Sequence, residues 1–149
     1  MSGKRKSQAE LLNEVTNRNV ITISPSAPLS KAAYMMMNED IGALVVTDGE
    51  SKPVGIITDR DLVVSVMAEG ISPDEVTVED VMTKDLITVD EHTDIFEMLS
   101  VLSEKSIRRL PVTGGGRLKG IVSVDDLIVV VATELVNLAM ALSSKSKVL

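Results

Sequence analysis

The sequence predicts an α/β protein of two βαββα repeats related by a pseudo-twofold axis, with a short helix ahead of them and a long helix at the end. Three observations lead there. The stretch Gly55-Ile56-Ile57-Thr58-Asp59-Arg60-Asp61-Leu62 returns as Gly120-Ile121-Val122-Ser123-Val124-Asp125-Asp126-Leu127, with four of the eight positions identical. Each copy reads as a β-branched strand that passes through a hydroxyl residue into a helix, with an acid three residues after the hydroxyl. Upstream, Thr88 answers Thr22 at an offset of 66 (88 − 22), and later segments keep that offset until a hairpin turn removes one residue.

Residues 1–19 read as a basic arm, Met1 to Lys6, and a short helix from Ser7 or Gln8 to Val15 with Leu11, Leu12 and Val15 on one side. The first repeat is expected over 20–70. Val20-Ile21-Thr22-Ile23 is a β-type run, broken by Ser24-Pro25-Ser26-Ala27-Pro28. A helix begins near Pro28 or Leu29, because Leu29, Ala32, Ala33, Met36 and Met37 share one helical face. The methionines at 35–37 read as adaptable core filling. Ile41 to Thr47 is apolar throughout, as a strand covered on both faces should be. Asp48-Gly49 turns it into the strand Val54 to Thr58. Asp61, Leu62, Val63, Val66 and Met67 mark a second helix, ended at Gly70.

Residues 71–80 read as a linker, 81–143 as the second repeat and 144–149 as a tail. Leu86 to Val89 repeats the first strand, Ile95, Met98, Leu99 and Leu102 the first helix, and Ile107 to Thr113 the next strand. The turn Gly114-Gly115-Gly116 absorbs the lost residue, as a surface loop should. The last helix runs from Val124 to the region of Ser143, with Leu127, Val131, Leu135, Leu138 and Leu142 along one face. So much apolar surface at a chain end predicts burial against another subunit, hence a homodimer.

Composition removes several function classes. One Phe (Phe96), one Tyr (Tyr34) and no Trp leave a core of aliphatic side chains and eight Met, with no aromatic platform for single-stranded bases. A net charge of −7, from 22 acids against 15 bases, disfavours broad contact with a phosphate backbone, so nucleic acid is not an expected partner. No cysteine and a single histidine, His92, leave neither a disulfide framework nor a thiolate or imidazole metal cluster. An enzyme and a bound metal are not expected. The first ten residues lack an apolar core of the secretory type, which favours a cytoplasmic location. Leu127 to Leu142 contains Glu134 and Asn137 and is shorter than the ~20 residues of a span, so it reads as a buried helix and no membrane contact is expected.

The repeated pattern resembles the cystathionine-β-synthase (CBS) domain family, and two tandem copies resemble the paired module called a Bateman domain. The motifs that carry it are Ile41-Gly42-Ala43-Leu44-Val45-Val46, Gly55 to Leu62, Arg108-Arg109-Leu110-Pro111-Val112, and Gly120 to Leu127. The resemblance implies a stand-alone sensor that binds AMP, ADP, ATP, S-adenosylmethionine or NAD in clefts between the repeats and regulates a protein partner.

Under that resemblance Asp61 and Asp126 are the leading site residues, since a carboxylate offers two acceptor oxygens to the 2′- and 3′-hydroxyls of a ribose. Thr58 and Ser123 stand at the strand-to-helix corners, where helix N–H groups point the same way. Both corners equally fit a capping box that satisfies helix donors without any ligand. Thr22 and Thr88 resemble the family's adenine-edge contacts, and Ala43 and the Arg109 to Pro111 backbone would border the base. Arg108 and Arg109, then Arg60, are the candidates for phosphate, because guanidinium matches phosphate oxygens in a fork. Gly42-Ala43 answers Arg108-Arg109, and Asp59-Arg60 answers Val124-Asp125, so the two clefts should differ in charge. His92 reads as an exposed loop or cap residue. Two other readings stay open: a ligand-independent oligomerisation scaffold, and a nucleic-acid accessory protein using the basic arm.

Overall fold

The structure, a computed structural model, describes residues 6–145; the arm at 1–5 and the tail at 146–149 lie outside the described residues. Its elements run α1 (Gln8–Val15), β1 (Thr22–Ile23), α2 (Leu29–Glu39), β2 (Ala43–Thr47), β3 (Pro53–Thr58) and α3 (Asp59–Leu62), which continues as a π-helical stretch, Val63–Ala68. The second half has α4 (Val78–Val81), β4 (Val89–Asp90), α5 (Ile95–Lys105), β5 (Arg109–Gly114), β6 (Arg117–Ser123) and α6 (Val124–Lys145). Two three-stranded sheets result, in the orders β1-β2-β3 and β4-β5-β6. In each the first strand is parallel to the second, and the second is antiparallel to the third.

The offset of 66 holds in three dimensions. Ile23 pairs with Val46 as Val89 pairs with Val112. α2 and α5 both end on a residue in the left-handed conformation, Asp40 and Ser106, each at φ 53°. The first strand of each repeat is shorter than expected: Val20 and Ile21 stand outside β1, and Leu86 to Thr88 outside β4. Their neighbours account for it. Asn17 bridges to Ile121 of β6, and Thr83 bridges to Ile56 of β3, so each chain segment leaves one sheet before it joins the other.

Those crossings redistribute the core. Leu12 of α1 is buried in the second hydrophobic cluster, with Met98, Leu110, Val122 and Leu127. Val78 of α4, in the stretch expected as a linker, is buried in the first cluster, with Leu29, Leu44 and Ile57. Leu12 and Val78 are themselves 66 apart (78 − 12), so α4 is the second copy of α1. Each leading helix packs on the other repeat's sheet. α1 is held by a capping box in which Glu10 N–H donates to Ser7 Oγ (3.2 Å) and Ser7 N–H donates to Glu10 carboxylate (3.3 Å). α4 repeats the device with Thr77 and Asp80.

Gly55 and Gly120, which head the repeated motif, lie where the crossing segments pass. A Cβ on Gly55 would stand 2.9 Å from Thr83 carbonyl oxygen, and one on Gly120 would stand 2.8 Å from that of Asn17. Only a residue without a side chain lets the two backbones come so close.

The second helix of the first repeat departs from the expected regular α-helix: after four residues it widens into the π form, over a β-branched run Val63, Val64 and Val66 that crowds an α-helical turn. Its counterpart α6 stays α-helical and runs on. Ala68 answers Thr133 at the motif's offset of 65 (133 − 68), so residues 134–145 overhang the repeat. The expected burial of α6 is therefore not met within one chain. Leu127 and Val130 are in the core, whereas Ile128, Val129, Leu135, Val136, Leu138, Met140 and Leu142 are exposed. Val124–Ser144 is, by length and composition, long and apolar enough to cross a membrane. The helix bounds match the expected Val124 to Ser143, but the apolar window is longer than Leu127 to Leu142, because Val124 and the weakly polar Ser143 and Ser144 belong to it.

Candidate functional site

Strand alternation decides which side chains meet between the repeats. Leu44 and Val46 of β2 point into the first core, and Leu110 and Val112 of β5 into the second. Val45 and Pro111 are just as buried yet belong to neither cluster, because the alternate face of each sheet turns toward the other repeat. Between these faces lies a cleft of about 320 Å³, lined by Ala43, Val45 and Ile56 from one repeat and Arg109 and Ile121 from the other. Asn17, Asn19, Val20 and Ile21 close one side, and Asp40, Ile41 and Gly42 another.

Register carries the strand-to-helix corners to the same faces. Thr58 sits opposite Ala43, and Ser123 opposite Arg109. Asp59 N–H donates to Gly42 carbonyl, and Val124 N–H to Arg108 carbonyl, both at 2.9 Å, so each corner is tied to the start of the neighbouring strand.

Both corners are capping boxes. Asp61 N–H donates to Thr58 Oγ1 (3.2 Å) while Thr58 N–H donates to Asp61 Oδ2 (2.9 Å). Asp126 N–H donates to Ser123 Oγ (3.2 Å), and Ser123 returns its hydroxyl (2.8 Å) and its N–H (3.4 Å) to Asp126 Oδ2. The bonds that the two carboxylates accept all fall on Oδ2. Among the described residues, Oδ1 of Asp61 and of Asp126 accepts none. Capping therefore uses one oxygen of each carboxylate and leaves the other for a hydroxyl donor. The two readings of the motif are compatible.

The remaining candidates divide. Ala43 and Arg109 line the cleft. Pro111 is buried on the facing side of β5, opposite Ile121. Thr22, half-buried opposite Val45, lines a smaller adjoining pocket. Thr88 stands just before β4 and is exposed, which corrects its expected place in a strand. Arg108 is exposed, with its guanidinium 3.9 Å from Asp125 carboxylate, also exposed. A pair so solvated contributes little to stability and leaves the guanidinium available. Arg60 is exposed at the start of α3, its N–H donating to Asp59 carboxylate (2.8 Å). His92 is exposed, 3.8 Å from Glu91.

The resemblance placed the cleft between the repeats and named Ala43 and Arg109, but not its other walls. Ile56 and Ile121, the second residues of the repeated motif, are its shared walls, and the Asn17 to Ile21 segment closes it. Period-two alternation around Val45 and Pro111 was the available signal. The bridges at Asn17 and Thr83 left no mark in the sequence.

The CBS-domain family model matches residues 12–68 and 78–133, and the chain belongs to that family. An uncharacterized protein of Methanopyrus kandleri is 41% identical over 118 residues, which are 78% of this chain and 60% of that protein, so this chain spans less than two thirds of its length. Hypoxic response protein 1 of Mycobacterium tuberculosis is 34% identical over 114 residues, 76% of this chain and 80% of that one. A crystal structure of hypoxic response protein I with two coordinated zinc ions superposes with a TM-score of 0.71 at 33% identity, over 78% of this chain and 95% of that one. Among the described residues here, no group of three or more His, Cys, Asp or Glu is placed to hold a metal ion. The protein CBSX2 in complex with AMP shares the fold, with a TM-score of 0.68 at 22% identity over 82% of this chain and 96% of that one.

Proposed function

We propose that this chain is a regulatory module, not an enzyme, that binds an adenosine-containing ligand (AMP, ADP, ATP or S-adenosylmethionine) between its two repeats and so biases the activity of a protein partner. The observation that carries this reading is the cleft between the sheets, with both repeats contributing walls and with capped corners that keep one carboxylate oxygen unused. The floor formed by Ala43, Val45, Ile56 and Ile121 suits a flat apolar ring and Arg109 supplies the cation for a phosphate. Thr58, Asp61, Ser123 and Asp126 stand outside the cleft's lining; Ser123 sits opposite Arg109, and Asp126, three residues on, is the ribose acceptor of this reading. The AMP complex of CBSX2 supports the ligand class. A ligand held by both repeats favours one relative orientation of the two, and that differential affinity is what a partner would read. Calorimetric titration of the chain with AMP, ATP and S-adenosylmethionine tests this. Saturable binding by one of them is expected, and silence from all three at protein concentrations well above ~1 μM would overturn it.

A homodimer belongs to the same reading. Apolar side chains are exposed on the helices of both repeats, Tyr34, Met37 and Met67 on one and Phe96, Leu135 and Leu138 on the other, so the apolar helical side spans the module. A second copy placed on a twofold axis covers such a face with itself. The scaffold reading is favoured by that same overhang, and the two differ in whether ligand binds.

A further inference from the structure

We propose that a small tetrahedral oxyanion of the phosphate class binds at the hairpin end of the seam between the repeats, between Arg18 and Lys119. This site is separate from the corners and from Arg108. A pocket of about 130 Å³ opens there, lined by Arg18, Thr22, Thr47, Ser51 and Lys119, with Val20 and Leu118 as its apolar walls. The two cations come from opposite halves of the chain, and Leu118 N–H donates to Ser51 carbonyl (2.9 Å), which holds the two sides of the pocket together. Among the described residues, no carboxylate lines it.

Among the described residues, neither charge is paired with an acid. Arg18 guanidinium donates to the neutral amide oxygen of Asn13. Among the described residues, Lys119 makes no hydrogen bond or ion pair. In a chain with 22 acids against 15 bases, two cations that share a pocket without a carboxylate are out of keeping with the rest of the surface. Glu10 and Glu91 line a neighbouring cavity with the same two cations, but among the described residues neither carboxylate forms an ion pair with Arg18 or Lys119. Arg18 and Lys119 carry like charges into one pocket; an oxyanion between them turns their repulsion into two charge-assisted hydrogen bonds, with threonine and serine hydroxyls to complete its shell. The pseudo-equivalent end lacks the pair, since Val54 stands where Lys119 does (119 − 65 = 54), so the site is single. Bound across the seam, the anion clamps the two repeats together at the end away from the corners.

The anion is either free phosphate or the terminal phosphate of a ligand lying in the adjoining cleft, which shares Val20 as a wall. Titration of the full chain with inorganic phosphate at constant ionic strength, against chloride as control, reads the site directly. Phosphate is expected to bind and to raise the melting temperature, and Arg18→Ala and Lys119→Ala are each expected to weaken it about five- to tenfold, the loss of one exposed charge-assisted hydrogen bond. Lys119→Arg should retain binding, Lys31→Ala on α2 should leave it unchanged, and all variants should melt like the parent without phosphate. Binding of adenosine and phosphate together assigns the anion as free. A loss of AMP affinity in Lys119→Ala with adenosine unaffected assigns it to the nucleotide. Phosphate acting no more strongly than chloride, or undiminished binding in both alanine variants, would overturn the proposal, whatever AMP does.

Discussion

At the scale of single residues, the repeated motif serves two purposes that the sequence shows as one. Its hydroxyl and acid cap a helix through a single carboxylate oxygen at Asp61 and at Asp126, and among the described residues the second oxygen accepts no hydrogen bond. Its glycine is explained by neither role. Gly120 admits the backbone of Asn17, and a methyl group there would meet a carbonyl oxygen that is itself bridged to Ile121 and cannot retreat freely. Gly120→Ala is therefore expected to destabilise the chain by about 1–3 kcal/mol, as overpacking does, measured by urea denaturation. Gly55→Ala should behave alike, because Thr83 passes it in the same way. The recurrence of both glycines is plain in the sequence, but the residues that pass them lie 28 and 103 positions away (83 − 55 and 120 − 17), and no local pattern links them. Asp80 gives a residue-scale test with a sign. Hydrogen bonds from Thr77 hydroxyl and then Thr77 N–H hold its carboxyl below the ordinary carboxylate value. A lowered folded value stabilises the fold above the unfolded value and is lost as pH falls through the folded one. The stability gap between the parent and Asp80→Ala should therefore be full at neutral pH and close as pH drops below about 4.

At the scale of elements, the sequence made β2, β3, β5, β6, α2 and α5 legible because each has an unbroken period and a cap or turn at its end. β1 and β4 are shorter than their apolar runs, since Val20 and Ile21 line the cleft and Ile87 packs against the second core instead of pairing in a ladder. α4 was hidden because one helical turn carries no period. What reveals it is Val78, fully buried, at the position of Leu12. The exchange of α1 and α4 between repeats makes a specific claim about stability: Leu12→Ala, though it lies ahead of the first repeat, should loosen the second. A loss of about 2–5 kcal/mol is expected, with hydrogen exchange rising in β5 and β6 before β2 and β3. Equal exposure of both sheets would contradict the assignment of Leu12 to the second core.

At the scale of the whole molecule, the pseudo-twofold arrangement gives one apolar helical side and one seam, and the two make separate predictions. Covering Leu135, Leu138 and Leu142 requires a partner surface, so light scattering should return twice the monomer mass for the parent chain, and Leu135→Lys with Leu138→Lys should return the monomer. If the doubly substituted chain keeps the parent's mass, α6 is not the contact. The seam was legible only in part. The corners declared themselves by repetition, whereas the walls depended on which faces of two sheets turn together, a tertiary fact that β-strand alternation narrows but does not decide. The claim that joins the scales is that the corners cap helices with one oxygen and hold a ligand with the other. Calorimetric titration of AMP, ATP and S-adenosylmethionine into the parent, Asp126→Ala, Asp61→Ala and the double variant measures it most directly. The account predicts saturable binding of an adenosine ligand by the parent, at least tenfold weaker in the double variant, with dimer mass unchanged and each cap costing about 1 kcal/mol of stability. Full affinity in the double variant, or loss of stability with no ligand bound by the parent, would contradict it.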